Sequence, residues 1–447
     1  MKTVLVANRG EIAVRVIRAC RALGLRTIAV YSEADREALH TRLADRAVCI
    51  GPAPAARSYL DVAALLATAR GTGADALHPG YGFLAENADF AAACVEAGVT
   101  FVGPSAEAMR IMGDKVHARE RAAALGVPIV PGSRAPIRDV VQAEAIGQSV
   151  GYPLLLKAAA GGGGRGMRIA RSAGELGEAF RAGQAEAQAA FGDDRLYVER
   201  FLDRVRHVEI QILADRFGGA VQLGERDCSV QRRHQKLLEE APSPAMTPAL
   251  RAALGEAALA IARDVKYEGA GTVEFVLEGE TGRFAFIEMN TRIQVEHPVT
   301  EMITGVDLVA AQLQLAAGER LPFRQADVTI SGHAVECRIN AEDPDAGFRP
   351  SPGRITRWIP PEGPGLRVDT HVEAGTTVPP FYDSLLAKVI AHGRDRKAAI
   401  QRMAQALDRV DVDGIATTLP FHRGILVHPD FVAGRIHTRW VEDELTR

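Results

Sequence analysis

The first hundred residues alternate short apolar runs with amphipathic stretches. The apolar runs at 3–6, 27–31, 74–78 and 99–102 predict buried strands, and residues 11–23 predict a helix that ends at Gly24. Strands that alternate with crossover helices form a parallel sheet. The first turn reads Asn8-Arg9-Gly10-Glu11 instead of Gly-x-Gly-x-x-Gly. The pattern therefore argues against a nicotinamide dinucleotide site.

The pattern changes twice further along the chain. Residues 126–132 contain two prolines and indicate a boundary, after which 129–203 read as a compact second unit around the glycine run 161–166. From residue 204 onward the predicted strands are longer and alternate cleanly between apolar and polar residues. That alternation is typical of an antiparallel or mixed sheet.

Composition and charge narrow the class of protein. The 447 residues suit two or three domains, with 47% hydrophobic and 24% charged residues. A net charge of -3 gives no general attraction to nucleic acid or to an acidic membrane. Five scattered cysteines favour a reducing compartment, and no apolar run approaches the roughly 20 residues that span a bilayer. We therefore expect a cytoplasmic protein that binds neither nucleic acid nor membrane.

A glycine run suggests a phosphate-binding flap. Residues 154–157 predict a strand that ends in Lys157, the four glycines 161–164 follow, and residues 167–170 predict a second strand. Without Cβ atoms, successive backbone N–H groups can approach an anion closely, and Lys157 and Arg165 add positive charge. No Gly-Lys-Ser/Thr follows, so this is not a Walker loop. The alternative is a flexible linker.

Two glutamates are predicted to meet across a hairpin. Residues 272–278 and 283–290 read as strands joined by a short connection with glycine at both ends. If Glu278 pairs with Arg283, Glu274 lies opposite Ile287, and a shift of one residue places it opposite Glu288. Carboxylates this close repel, and Mg²⁺ or Mn²⁺ would remove the repulsion, with Asn290 as a further oxygen ligand. The alternative is that Glu274 pairs with a basic residue from elsewhere in the chain.

The hairpin leads into an alternating run from Glu288 to Glu296. Its even positions are Glu288, Asn290, Arg292, Gln294 and Glu296, which a continuous strand would place on one face. An edge strand with a solvated face would show the same pattern. Fully extended, the run would span about 26 Å, too long for one small site, so we expect a bend. An arginine four residues before a glutamate suggests a planar anion beside a base, and bicarbonate or any small carboxylate fits.

These stretches together resemble the biotin carboxylase family, the ATP-grasp component of biotin-dependent carboxylases and most closely of acetyl-CoA carboxylase. The resemblance covers essentially the whole chain. The matching stretches are residues 7–13 (Ala-Asn-Arg-Gly-Glu-Ile-Ala), 78–84 (His-Pro-Gly-Tyr-Gly-Phe-Leu), 113–115 (Gly-Asp-Lys), the glycine run, 225–229, 231–236 and 286–307.

The resemblance implies an α/β and α+β fold of the ATP-grasp type. It implies a Rossmann-like parallel-sheet domain at residues 1–113, a glycine-flap lid at 114–203 that begins with a linker helix at 114–128, and a mixed-sheet C-terminal part at 204–447. It also implies ATP, Mg²⁺ or Mn²⁺ and carrier-bound biotin as cofactors and substrates.

The resemblance assigns a role to each candidate site residue. The ATP phosphates would be held by Lys115, Lys157, Gly163, Gly164 and Gly166. The rest of the nucleotide would be surrounded by Glu199, Arg200, Leu202, His207, Gln231 and His234. The family usually has lysine where this chain has Arg200. The metal would be bound by Glu274, Glu288 and Asn290, and bicarbonate would be bound by Arg292, Gln294 and Val295. Glu296 would be the base, and Lys236 would lie near the same anions. Arg338 would stabilise the enolate of biotin.

The implied reaction is ATP-dependent carboxylation of biotin by bicarbonate through carboxyphosphate. A rival is another ATP-grasp ligase of the carbamoyl-phosphate synthetase type, which would share the glycine run and the two glutamates.

No Met-Lys-Met biotinyl-lysine motif is present, so we expect a separate biotin carrier protein and carboxyltransferase subunits as partners. Arg15 and Arg18 match positions at the family's homodimer interface, although an exposed helix face explains them equally well.

The basic cluster Arg226, Arg232, Arg233 and Lys236 could form a nucleic-acid patch, an interpretation that its lack of aromatic residues disfavours.

Overall fold

The computed structural model describes residues 1–133, 135–159, 167–279 and 281–445. Its N-terminal part is a five-stranded parallel sheet with helices on both faces, as the alternating pattern predicts. The strands are β1 (Thr3–Val6), β2 (Arg26–Ser32), β3 (Arg46–Gly51), β4 (Ala76–His78) and β5 (Thr100–Phe101), in the spatial order β3-β2-β1-β4-β5, and the helices are α1 (Gly10–Ala22), α2 (Leu39–Leu43), α3 (Val62–Thr72), α4 (Ala88–Glu96) and α5 (Ala106–Gly113).

The turn after β1 is packed against the turn after β4. Nδ2 of Asn8 donates to the carbonyl oxygens of Pro79 and Tyr81, at 2.7 Å each. Gly80 has φ +65°, and a Cβ there would lie 2.9 Å from Nδ2 of Asn8. Glycine is therefore required at this position both by the backbone conformation and by the close approach.

A small three-stranded sheet follows the N-terminal part. Asp114 caps the helix that leads to it, since its side chain accepts hydrogen bonds from the backbone N–H groups of Val116 and His117. The elements are α6 (Lys115–Ala124), α7 (Val140–Val150), β6 (Leu154–Ala158), β7 (Arg168–Ala170), α8 (Ala173–Phe191) and β8 (Leu196–Arg200), with strand order β7-β6-β8. The strands predicted at 154–157 and 167–170 are confirmed.

The largest element is an eight-stranded sheet in which every pair of neighbours is antiparallel, one of the two arrangements that the sequence pattern allowed. Helix α9 (Pro248–Asp264) packs its apolar side against it, with Leu254, Ala258 and Ile261 buried. The strands are β9 (Arg206–Ala214), β10 (Ala220–Arg232), β11 (Gln235–Ala241), β12 (Gly269–Leu277), β13 (Phe284–Asn290), β14 (His333–Asn340), β19 (Leu366–Thr370) and β21 (Leu385–Gly393), in the order β13-β12-β9-β10-β11-β14-β21-β19.

The remaining elements surround this sheet. Three two-stranded ribbons join β15 (Glu342–Asp343) to β16 (Arg349–Pro350), β17 (Gly353–Arg354) to β20 (Thr377–Val378), and β18 (Arg357–Ile359) to β22 (Asp411–Asp413). The helices are α10 (His297–Thr304), α11 (Leu308–Ala316), α12 (Arg396–Arg409), α13 (Leu419–Val427) and α14 (Pro429–Val432). Across the described ranges, no helix is both long enough and apolar enough to cross a bilayer.

Candidate active site

The paired glutamates lie directly opposite each other, as the shifted register predicts. Near the turn Leu277 pairs with Phe284, and Phe275 pairs with Phe286; one residue further, Glu274 pairs with Glu288. The register changes because Ile287 is an extra residue, a β-bulge in β13. Both registers that the sequence allowed are therefore present in one hairpin, and the bulge separates them.

The bend predicted within the run from Glu288 to Glu296 is confirmed, and the run is not one continuous strand. Strand β13 ends at Asn290, residues 291–296 form a bent loop, and α10 starts at His297. Pro298 occupies the first turn of α10, where its missing N–H costs nothing.

Lys236 lies between three buried carboxylates. Its Nζ donates to Oε2 of Glu209 at 2.7 Å, to Oε1 of Glu274 at 3.0 Å and to Oε1 of Glu296 at 2.6 Å. The predicted alternative, a basic partner for Glu274 from elsewhere in the chain, is thus confirmed. Nε2 of His207 lies 3.2 Å from the same glutamate. Burial alone would raise the pKa of Glu274, but Lys236 and His207 lower it below its usual value.

Glu296 is fully buried at the start of α10 and is held by two cations. Nη2 of Arg338 donates to its Oε2 at 2.8 Å, and Nε of Arg338 donates to Glu239 at 2.6 Å. Burial opposes ionisation, yet Lys236, Arg338 and Arg226 hold the pKa of Glu296 well below its usual value. The carboxylate is therefore ionised at neutral pH.

Arg292 is tied to three side chains of the loop and of the N-terminal part. Its Nη1 donates to Oε1 of Gln294 at 3.0 Å, its Nη2 donates to Oδ1 of Asn290 at 3.0 Å, and its Nε donates to Oε2 of Glu86 at 2.9 Å. Nε2 of Gln294 donates in turn to Glu274 at 3.1 Å. The predicted metal-binding end and anion-binding end of the run are therefore connected by hydrogen bonds.

The two candidate phosphate-binding lysines are paired with acids. Nζ of Lys115, at the start of α6, lies 3.1 Å from Oε2 of Glu288. Nζ of Lys157 lies 2.5 Å from Oε2 of Glu199, which also pairs with Arg119. These cations lower the pKa of Glu199 against the effect of its burial. Gly163, Gly164 and Gly166 lie outside the described residues.

The other candidate nucleotide contacts line β8, β9 and β10. Arg200 is exposed, and its backbone N–H donates to Pro131 at 2.8 Å. Leu202 follows β8 and is half-buried. Gln231 of β10 is buried and pairs with Lys236 of β11. His234 is exposed at the tip of the β10–β11 hairpin with φ +64°.

The basic cluster does not form one surface patch, and it does not lie in a single loop. Arg226 and Lys236 lie on the paired strands β10 and β11, and Arg226 is fully buried against Glu209, Gln211 and Thr272. Arg233 is exposed in the turn between the strands. Half of the cluster therefore points into the protein.

Several contacts at this site were missed by the sequence reasoning. Glu86 accepts from Arg292 and from the backbone N–H of Thr291, although it lies more than 200 residues earlier in the chain. Glu209 occupies an alternating polar position of β9, and Glu239 is the first of two adjacent acids in β11. An acid within a predicted strand is the signal that could have found these two.

The fold and the site define an ATP-grasp ligase. A parallel-sheet N-terminal part, a three-stranded sheet carrying Lys157 and a large sheet carrying the glutamate pair occur in the order of that class. Family models match the chain as the biotin carboxylase N-terminal domain over residues 1–109, the ATP-binding domain of the carbamoyl-phosphate synthase L chain over 114–324, and the biotin carboxylase C-terminal domain over 336–443.

Individual relatives match the whole chain. Biotin carboxylase 1 of Bacillus subtilis (strain 168) is 54% identical over 442 residues, which are 99% of this chain and 98% of that protein. A structure of biotin carboxylase from Campylobacter jejuni in complex with β-γ-ATP has TM-score 0.97 and 44% identity, covering 99% of both chains. The biotin carboxylase domain dimer of Hydrogenobacter thermophilus 2-oxoglutarate carboxylase, with MgADP, ADP and bicarbonate, has TM-score 0.96 and 48% identity, covering 99% of this chain and 97% of that one. The chain belongs to the biotin carboxylase family.

Proposed function

We propose that this ligase carboxylates biotin on a carrier protein, with bicarbonate as the carboxyl source and ATP as the energy source. The products are ADP, phosphate and carboxybiotin on the carrier. The observation that carries the proposal is the position of Glu296: its two oxygens are bound by Lys236 and Arg338, and Lys236 also contacts Glu274 of the glutamate pair. The residues that we assign as the base, as the anion-binding side chains and as the metal-binding pair are therefore in contact.

Glu296 is the residue we assign to deprotonate bicarbonate. Its ionised state makes it able to accept a proton, but the cations that lower its pKa also weaken it as a base. A bicarbonate that takes one hydrogen bond from Lys236 would raise the proton affinity of Glu296 at the moment the proton has to move. Arg292, Gln294 and Val295 would hold the anion against this base, since they lie in the same loop.

Glu274, Glu288 and Asn290 are the residues we assign to Mg²⁺ or Mn²⁺. Their oxygens suit a hard divalent cation, and the two carboxylates lie opposite each other across the ladder. When bound, the ion supplies positive charge that neutralises the phosphoryl group during transfer. Lys115 and Lys157 would add charge on the same phosphates by exchanging their present acidic partners for ATP.

The remaining roles follow the nucleotide and biotin. We assign residues 114–203 as the lid, with Gly163, Gly164 and Gly166 over the phosphates, and Glu199, Arg200, Leu202, His207, Gln231 and His234 around the nucleotide. Arg338 would receive the ureido oxygen of biotin and stabilise its enolate. Its guanidinium is already fixed by Glu239 and Glu296, so little freedom is lost when it binds.

We also propose a homodimer, with a biotin carrier protein and a carboxyltransferase as partners. Arg15 is buried against Glu301 and Asp307 of its own chain, so of the two predicted interface arginines the exposed Arg18 is the one open to a second copy. The described cysteines are all unpaired, in keeping with a cytoplasmic location.

We propose that the protein is the biotin carboxylase component of an acyl-CoA carboxylase. Acetyl-CoA carboxylase, which acts in fatty acid synthesis, is one such assembly.

Free biotin tests the reaction. Biotin should stimulate bicarbonate-dependent release of ADP, whereas a ligase of the carbamoyl-phosphate synthetase type would show no stimulation. Glu296→Ala should lower turnover by a factor of roughly 10²–10⁴ while ATP still binds. Glu256→Ala, at an exposed acid of α9, serves as the matched control and should keep full turnover. Near-normal turnover of Glu296→Ala would refute the assigned base.

A further inference from the structure

Lys388 is a fully buried lysine that the reaction as described does not use. It lies on β21, opposite Arg338 of β14 on one side and Asp369 of β19 on the other. Its Nζ donates to the backbone carbonyl of Val295 at 2.8 Å and lies 3.1 Å from Oε1 of Glu11. Burying an ammonium is expensive unless its partners satisfy it, so these two contacts are required by the fold.

The contact with Val295 acts on the loop between β13 and α10. This loop carries Arg292, Gln294 and Glu296, and Val295 is the residue directly before the base. A hydrogen bond to the Val295 carbonyl fixes the orientation of the peptide group that joins it to Glu296. At its other end the loop is held by Glu86, which accepts from the backbone N–H of Thr291. Lys388 and Glu86 thus both hold the backbone of this loop from distant parts of the chain.

The contact with Glu11 links the loop to the N-terminal sheet. Glu11 is buried in the first turn of α1 and accepts a hydrogen bond from the hydroxyl of Tyr81. Tyr81 belongs to the turn whose carbonyl groups bind Asn8. Burial raises the pKa of Glu11, and the ammonium of Lys388 opposes that rise. The two sequence motifs at 7–13 and 78–84 therefore converge on one lysine of a distant strand.

We infer that Lys388 and Glu11 are positioning residues for bicarbonate: through the Val295 carbonyl, Lys388 sets the loop in which Arg292, Gln294 and Glu296 act, and Glu11 holds Lys388 in place. The inference rests on the proposed function, because it takes that loop as the bicarbonate site. Neither residue needs to touch the substrate. Their effect is on the distances between groups that do.

Lys388→Met tests the inference, because methionine keeps most of the length and removes both the charge and the donor. We expect KM for bicarbonate to rise on the order of tenfold to a hundredfold, with KM for MgATP within about twofold. The double variant Glu11→Gln with Lys388→Met leaves no unpaired buried charge, so it should unfold at a higher temperature than Lys388→Met while keeping the raised KM for bicarbonate. It also carries the test if the single variant does not fold. Lys397→Met, at an exposed lysine of α12, is the matched control.

Two outcomes would overturn the inference. An unchanged KM for bicarbonate in the folded double variant would remove the positioning role, and equal increases of KM for bicarbonate and for MgATP would reduce it to general stability. Arg292→Ala separates this from a failure of the proposed function. If Arg292→Ala raises KM for bicarbonate and the Lys388 variants do not, the site assignment stands and only the positioning role fails. If Arg292→Ala has no effect either, the loop is not the bicarbonate site.

Discussion

The ammonium of Lys236 lies 2.6 Å from Oε1 of Glu296. This contact joins the residue we assign as base to the cluster of acids around the metal-binding pair, because the same ammonium also binds Glu209 and Glu274. A change at Lys236 therefore alters both the proton affinity of the base and the stability of three buried acids.

The first prediction concerns this contact. Lys236→Met removes the strongest influence that lowers the pKa of Glu296, and we therefore expect the pKa of Glu296 to rise. The carboxylate is then lost at a higher pH, and the acid limb of the pH profile of kcat/KM should move to higher pH. Turnover at neutral pH should fall by roughly 10²–10⁴. Steady-state kinetics of both proteins, extended to the lowest pH at which they stay folded, would measure both effects, and an unmoved acid limb would contradict the assignment.

Glu86 anchors the loop from the N-terminal part. Glu86→Ala removes the acceptors of Thr291 and Arg292, so we expect KM for bicarbonate to rise by about tenfold, with a smaller rise in Glu86→Gln, which keeps one acceptor. Bicarbonate titrations at saturating ATP would measure this. If both variants bind bicarbonate as the parent does, the anchor has no effect on the site.

Arg200 should tolerate replacement by lysine. Its side chain is exposed and its backbone N–H is already bound to the Pro131 carbonyl, so a nucleotide contact made by its backbone carbonyl would survive the change. KM for ATP should stay within about twofold in Arg200→Lys, whereas Glu199→Gln, which loses charge against Lys157 and Arg119, should raise it by about tenfold. A large effect of Arg200→Lys would show that its side chain holds the nucleotide.

Removing one acid of the pair should weaken the metal site. Glu288→Gln should raise the Mg²⁺ concentration that supports half-maximal turnover by at least about tenfold, because a carboxylate ligand becomes a neutral amide. Glu278→Gln is the matched control, since Glu278 lies at the far end of the same hairpin and pairs there with Arg283. Chelation of Mg²⁺ should abolish turnover in all variants and should be reversed by added Mg²⁺. An equal Mg²⁺ requirement in both variants would exclude Glu288 as a ligand.

Acid should destabilise the protein through its buried histidines. His422 is buried with Nε2 2.7 Å from the Arg338 carbonyl, and burial lowers its pKa from 6.5 to about 4. Its neutral form thus stabilises the fold fully above pH 6.5, and this stabilisation is lost as the pH falls toward 4, by up to about 1.4 kcal/mol per pH unit. His422→Gln keeps a donor for the carbonyl and should lose less stability between pH 6.5 and 4 in urea titrations. A parallel decline in both proteins would assign the acid sensitivity to other groups.

The sequence predicts local elements and neighbours in one hairpin well. Strand β1 was predicted at its observed bounds, and the opposition of Glu274 and Glu288 was predicted to within one residue, because turn length restricts the register. The bulge at Ile287 could not be predicted, because it depends on how both faces of the hairpin pack. The end of β13 at Asn290 was missed for a related reason: period-two alternation continues through the loop by coincidence of its polar functional residues.

Contacts between distant segments were beyond the sequence alone. Nothing near Glu86 or Lys388 indicates that they meet residues 291–295, since these contacts arise only when the N-terminal sheet and the eight-stranded sheet come together. The three acids around Lys236 come from two different strands and from the loop before α10. A resemblance to a known family supplied roles for Lys236 and Arg338, but not the partners that hold them.

The bulge at Ile287 has a consequence for reading related genomes. A descendant that lost this one codon would still contain Glu274, Glu288 and Asn290 by ordinary alignment, and every motif would look intact. Its hairpin would follow a single register, and the second glutamate would still lie opposite Glu274, because it would directly follow Phe286, the partner of Phe275. Such a protein would keep the two opposed acids, so their opposition across the hairpin is a better criterion for an active enzyme than the exact spacing between Phe284 and Glu288.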